Sequence, residues 1–340
     1  MATMPPFLPT EPVSPTDEDR TWYKWVRTFV LVCAGTFAAL VGFIILIDPY
    51  DSGRSPLSLV RGTTEKDARF SNASHGRNPR FNAAIFGNSH GQPLDPDRLS
   101  QLLGMQFVQM SGSGSSPSEQ LLLAKWFSRH RERSSIKSVI FVVDTLWCTH
   151  DPALPIREVF PLWLYGDDLL DYLQRMATTQ GFTRARRQLA LALGLTKIEQ
   201  PSGFDNYETG VTWNFHPAPP NTTPPVPYDP TQLSLWFPAI DRLEEFLTTD
   251  LRGVPVILVM PYVYFSALPQ ENSRDAAEIA NCKRAFSSLA DRRAASRFVD
   301  LYIDAPLAHD PHNFLDMTHY RQNVARQIED KIAAAMAPLK

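Results

Sequence analysis

AIFGNSHGQPLDPDRL, residues Ala84–Leu99, is the stretch from which the rest of the chain can be read. It belongs to a short apolar run, AAIF from Ala83 to Phe86, that breaks at Gly87, Asn88, Ser89 and His90. A helix start follows: Asp95 can accept from the first free N–H groups, and Pro96 has no N–H to leave unpaired at the first helical position. Strand, turn and helix in this order form the unit of a parallel sheet, because a parallel neighbour is reached only through a crossover.

The unit recurs along the chain. Apolar, β-branched runs appear at QFVQM (Gln106–Met110), SVIFVV (Ser138–Val143), VPVILVM (Val254–Met260) and RFVDLY (Arg297–Tyr302). Helical stretches lie between them. SPSEQLLLAKWF has Ser116 as cap, Pro117 first and Glu119 in the opening turn; others run over 233–249, 275–292 and 319–336. Continuously apolar strands alternating with helices predict an α/β protein, a three-layer, flavodoxin-like parallel sheet of about five strands. Between Val143 and Val254 the spacing lapses, and residues from about 150 to 232 are expected to form an insertion capping one end of the sheet. In such a sheet ligands bind at the C-terminal ends of the strands, where helix N-termini collect.

Ahead of this domain, Thr28–Ile47 reads TFVLVCAGTFAALVGFIILI, twenty residues without a charge. At 1.5 Å per residue that is roughly 30 Å, the thickness of bilayer hydrocarbon. A cleaved signal would be shorter and would end in a small-x-small site, which Ile47, Asp48 and Pro49 do not supply. Lys24 and Arg27, with Trp22 and Trp25, precede the span, and Asp48 and Asp51 follow it. The positive-inside rule then makes 1–27 a cytoplasmic tail, 28–47 an anchor and the remainder extracytoplasmic. Residues 48–80 are polar and expected as a linker or loose collar before a domain spanning 81–338.

A net charge of −3 and a pI near 6.2 leave no excess of Lys and Arg for tracking phosphates, so nucleic acid is not expected as a partner. The 29 prolines concentrate in the N-terminal tail and in Pro217–Pro230, where regular structure is not expected. Cys33 falls in the apolar span; Cys148 and Cys282 either pair or remain two buried thiols.

Chemistry concentrates at three turns. Ser89 stands after the first strand, on a turn that Gly87 is expected to permit; a turn serine capping a helix is the plainer reading of the same residue. The second strand runs into QMSGSGSSPSEQ, where Gly114 can present its N–H. NFLDMTHY, near the C-terminus, places Asp316 three residues before His319. Such a spacing arises about half the time by chance in a chain of this composition and means little alone. In a parallel sheet, however, all three turns surface at one edge, and a serine nucleophile needs a base, a group that orients the base, and oxyanion donors. His309, Asp310 and His312 lie close by, but their spacing matches no common zinc pattern, and GSGSS lacks the Gly-Lys of a phosphate loop. Neither metal nor cofactor is expected.

AIFGNSHGQPLDPDRL, FVQMSGSGSSPSEQ, the strand ending in VVDTLW and the late FLDMTHY together resemble the SGNH (GDSL-like) hydrolase superfamily. More narrowly they are similar to its membrane-anchored members in O-acylation of cell-surface polymers, of the alginate acetylation and D-alanine transfer type. The resemblance covers roughly residues 80–335 and the anchor. It implies Ser89 as nucleophile, His319 and Asp316 as base and orienting acid, and Gly114 as an oxyanion donor. The third block of the family offers an Asn, whereas this strand runs into Asp144 and Thr145, so Asn88 or Thr145 is expected to assist. His90 is a structural neighbour or a donor toward substrate. The implied activity is transfer or hydrolysis of acyl groups on polysaccharide, with an acylated glycan as substrate and a membrane-bound O-acyltransferase as partner. A catalytically inactive glycan-binding or scaffold subunit is the alternative.

Overall fold

The structure, a computed structural model, describes residues 16–339 apart from 58, 211, 218 and 220–222. The first 15 residues of the expected tail and part of the Pro-rich stretch therefore lie outside the described residues.

Five strands, β1 (Ala83–Phe86), β2 (Phe107–Gln109), β3 (Ser138–Val142), β4 (Val256–Met260) and β5 (Ser296–Asp300), form one all-parallel sheet in the order β2-β1-β3-β4-β5. This is the doubly wound order in which a crevice opens beyond the C-terminal ends of β1 and β3, where successive crossovers leave in opposite directions. Alternate residues of the buried strands face opposite layers. Ala84, Phe86, Val139, Phe141 and Leu258 enter one core with α2 (Ala68–Arg77), α4 (Pro117–Arg129), α9 (Pro238–Thr249) and α10 (Arg274–Arg292). Ile85, Ile140, Val142, Ile257 and Val259 enter the other with α3 (Pro96–Leu103) and α11 (Gln322–Met336).

Caps form where short-range chemistry asks for them. Asp95 accepts from Asp97 N and Arg98 N with Pro96 at the start of α3, and Ser116 accepts from Glu119 N with Pro117 opening α4. The last helix begins at Gln322 rather than His319, because Phe314 and Tyr320 close an antiparallel bridge and hold the intervening residues in a turn.

Two expectations are corrected. Residues 48–80 are not a loose linker. They carry α2, whose Ser71, Asn72, Ala73, Ser74 and His75 are buried, and Asp51 Oδ2 accepts from Gly62 N at 2.8 Å and Ser74 Oγ at 2.8 Å. Polar composition misled here because the segment buries its polar groups in hydrogen bonds rather than exposing them. The helix of the anchor also starts ahead of Thr28: α1 runs unbroken over Asp17–Ile47, opened by a capping box between Thr16 and Asp19. Its apolar span passes through exposed residues, and it is the one described helix long and apolar enough to cross a membrane.

The long interval after β3 holds α5 (Leu146–Thr149), α6 (Leu162–Tyr165), α7 (Leu169–Met176) and α8 (Thr179–Ala192). Ser202 O accepts from Gln109 N at 2.8 Å, so part of this interval lies along the edge strand β2. Cys148, at the end of α5, is disulfide-bonded to Cys282 in α10.

Candidate active site

The turn after β1 is rigid for reasons visible in its contacts. A Cβ on Gly87 would lie 3.0 Å from Val142 Cβ of β3, so glycine serves here by leaving room, and not through a left-handed φ as a turn glycine would. Asn88 Oδ1 accepts from His90 N at 2.9 Å, Asn88 Nδ2 donates to Asp144 Oδ2, and Asp144 Oδ1 accepts from Leu146 N at 3.0 Å. From β2, the buried Gln109 Nε2 donates to Gly91 O at 2.9 Å and to Leu94 O at 3.0 Å. Ser89 is thus held between β2 and β3, beside the crevice at the sheet's switch point.

The second arm is the turn before α11. Phe314 and Tyr320 are fully buried and anchor it to the core, and Leu315 N donates to His319 O at 2.7 Å. Inside the turn Asp316 Oδ1 accepts from Thr318 N at 2.8 Å and His319 N at 2.9 Å. The Tyr320 hydroxyl donates to the carbonyl of His90, which fastens this turn to the serine turn. Two loops 230 residues apart are thereby brought into contact: His319 Nε2 lies 2.8 Å from Ser89 Oγ, and His319 Nδ1 lies 2.7 Å from Asp316 Oδ2. Partial burial opposes ionisation of Asp316, but the hydrogen bonds from Thr318 N, His319 N and the His319 ring outweigh it and hold the carboxyl below its ordinary value. An ionised Asp316 can only accept, so Nδ1 carries the imidazole proton and Nε2 offers its lone pair to the serine hydroxyl.

The other residues singled out in the sequence take different places. Gly114 occupies the β2–α4 turn at φ +63, next to Ser113. Among the described residues neither its N–H nor that of Ser89 meets a protein acceptor, so both stand free as donors. The Asn88 amide is buried, with Nδ2 turned to Asp144 and Oδ1 to His90 N. Thr145 begins α5 and makes no capping bond, and it does not line the cavity beside Ser89. His90 packs its ring 5.0 Å from that of His319; its buried Nδ1 is 3.5 Å from Asp144 Oδ2, without a well-formed hydrogen bond.

Ser89 and His319 open into a cavity of about 960 Å³. One wall comes from Thr63–His75, the expected linker, and another from Arg187–Tyr207 of the long interval. The second wall falls in the interval expected as a cap, whereas sequence reasoning missed the first wall and the individual residues Arg69, whose guanidinium donates to Ser113 O at 2.7 Å, and Tyr207, whose hydroxyl is buried without a partner. Burial, with the charges of Glu208 and Asp316, pushes the Tyr207 hydroxyl pKa up, so it stays protonated and able to donate. No local pattern marks these residues. Asp144 had a signal, its position at the end of β3 on the switch point.

His75 lines the same cavity and is enclosed by its surroundings, with Nδ1 3.4 Å from Asn72 Oδ1. Burial pushes its pKa down from 6.5 to about 4. The unfolded chain therefore binds the extra proton first as pH falls. Stability is unaffected above about pH 6.5 and declines between there and about pH 4, by an amount on the order of 3 kcal/mol. Urea unfolding in detergent at pH 7 and at pH 4 should show this loss, and His75→Gln should show a smaller one. An equal loss in both proteins would assign the effect to other groups.

Toward the C-terminus His309 pairs with Asp304 at 2.5 Å and His312 with Asp310 at 3.0 Å, and no group of three metal-ligating side chains occurs among the described residues. Compared with models of known protein families and with curated proteins, the chain matches none.

Proposed function

We propose that the protein is a serine-dependent acyl-transfer enzyme of the SGNH type, an O-acyltransferase or carbohydrate esterase acting on cell-surface or extracellular polysaccharide. The observation that carries this reading is the unbroken hydrogen-bonded line from Asp316 through His319 to Ser89 Oγ, 2.7 Å and 2.8 Å long at its two steps. In the mechanism, His319 Nε2 takes the Ser89 proton as Oγ attacks an ester carbonyl. The free N–H groups of Ser89 and Gly114 receive the developing oxyanion. The leaving oxygen takes the proton back from His319, and an acyl-serine remains. Water or a sugar hydroxyl then surrenders a proton to His319 and attacks the acyl carbon, and as the acyl–Oγ bond breaks His319 returns that proton to Ser89 Oγ.

The polar cavity supports a polyhydroxylated substrate, because Thr63, Ser71, Gln92 and Tyr207 place hydroxyl and amide groups in its walls beside charged side chains such as Asp67, Arg69 and Lys197. The wall formed by Arg187–Tyr207 supports reading the long interval as a cap. The length of α1, and a disulfide suited to an oxidising compartment, support a single-pass protein with the domain outside the cytoplasm. The triad serves water and sugar hydroxyls alike. The resemblance of the motifs favours transfer, with a membrane-bound O-acyltransferase as donor partner.

A fluorophosphonate probe and p-nitrophenyl acetate, applied to the full-length protein in detergent, test the reading. The probe should label Ser89 and nothing in Ser89→Ala, and ester turnover should vanish with the label. A folded protein that neither labels nor turns over ester would instead be a glycan-binding subunit.

A further inference from the structure

The end of α1 is built into the domain rather than joined to it by a flexible tether. Asp48 caps the helix and accepts from Gly53 N at 2.7 Å and Ser52 Oγ at 2.8 Å. Arg54 donates to the carbonyls of Trp163, Leu164 and Gly166 at 3.2, 3.1 and 2.6 Å, and its guanidinium lies 4.4 Å over the ring of Tyr172 in α7. The Tyr172 hydroxyl reaches back to Asp48 Oδ1 at 3.4 Å. Ser55 Oγ donates to Leu46 O at 2.6 Å, which holds Ser55 against the last turn of α1.

Five leucines surround this junction with their side chains in the open. Leu46 on α1, Leu57 and Leu59 beside it, and Leu169 and Leu170 one turn before Tyr172 are 42%, 55%, 47%, 48% and 65% exposed. Single exposed leucines are ordinary, but a group gathered around the exit of a membrane-length helix is not. Ile44 and Ile47 are buried against the domain, so a bilayer takes in the exposed part of α1 only as far as this last turn. The ties through Asp48 and Arg54 hold these side chains near the boundary between headgroups and hydrocarbon.

We propose that Leu46, Leu57, Leu59, Leu169 and Leu170 form a collar that inserts into the bilayer interface and seats the domain on the membrane. The occupant of this surface is lipid, because these segments are tied to the exit of a helix long and apolar enough to cross a membrane. The collar rests on the membrane-anchoring part of the proposed function and is independent of the serine chemistry. Gly62 is tied to Asp51 at 2.8 Å and receives a bond from Gln188 Nε2 at 2.7 Å, so the cavity wall at Thr63 and Arg187 is fastened to the same segment that follows α1.

Fluorophore-labelled full-length protein in nanodiscs carrying a nitroxide-labelled lipid tests this. Cys33→Ala removes the free thiol, and Leu57→Cys, Leu170→Cys, Phe37→Cys or Leu102→Cys supplies one label site each. Phe37 is mid-span in α1, and Leu102 is an exposed residue of α3 on the opposite face of the sheet from α2. Labels at 57 and 170 should be quenched several-fold more than the label at 102. If they match 102 while 37 is quenched, the collar is overturned and the anchor stands. If 37 is not quenched, the anchoring reading fails and takes the collar with it.

Discussion

Ser89→Ala is expected to lower ester turnover by about 10³-fold or more, because no neighbouring group can replace the attacking oxygen. His319→Ala should cost about 10² to 10⁴, the usual worth of a positioned general base. Asp316→Asn should cost less than it does where the aspartate is buried, about 10²-fold: half of the Asp316 side chain is exposed, so water can partly replace its hold on the imidazole. Since the three act as a unit, combining the changes should add little to the loss in Ser89→Ala alone. Single-turnover measurements with p-nitrophenyl acetate read all of these. Activity within about tenfold of the parent in Ser89→Ala would remove the serine from the chemistry.

Removing the Cys148–Cys282 bond should have the largest effect on stability. The bond closes a loop of 134 residues, and the lost chain entropy amounts to about 5 kcal/mol, with measured cases commonly nearer 2–4 kcal/mol. Against a domain stability of about 5–15 kcal/mol this is a large share. It joins α5, next to the fully buried Trp147, to α10, next to Phe286, and so ties together two helices of one core. Cys148→Ser with Cys282→Ser should unfold at clearly lower urea, as should the parent in reductant, while reductant should not affect the double variant. Thiol titration of the denatured, unreduced protein should find one free thiol, Cys33; three would disprove the bond.

The elements most legible in the sequence were those whose cause is local. AAIF and all but the last residue of SVIFVV are strands, and Asp95–Pro96 and Ser116–Pro117 open helices where capping chemistry places them. Ser89, Asp316 and His319 stood out because each follows the end of a strand, and parallel strands deliver those ends to one edge. The oxyanion assignment was less legible. Asn88 has the right chemistry for a donor, but its side chain can face either the cavity or Asp144, and only the packing of β3 against β1 decides between them. Residues 48–80 misled for a related reason. Their polarity suggested solvent, whereas Asp48, Asp51 and Ser74 are buried together with their partners.

From its sequence alone this chain already specified a parallel α/β sheet, a membrane-length helix and the strand ends at which polar residues gather. Periodicity, capping and turn preference act over a few residues and need no knowledge of the rest of the molecule. Tertiary structure alone decided that Cys148 meets Cys282, that Tyr320 fastens the His319 turn to His90, and that Thr63–His75 and Arg187–Tyr207 enclose one cavity. Those pairings join residues far apart in the chain. Each depends on the packing of the whole core, which no short stretch encodes.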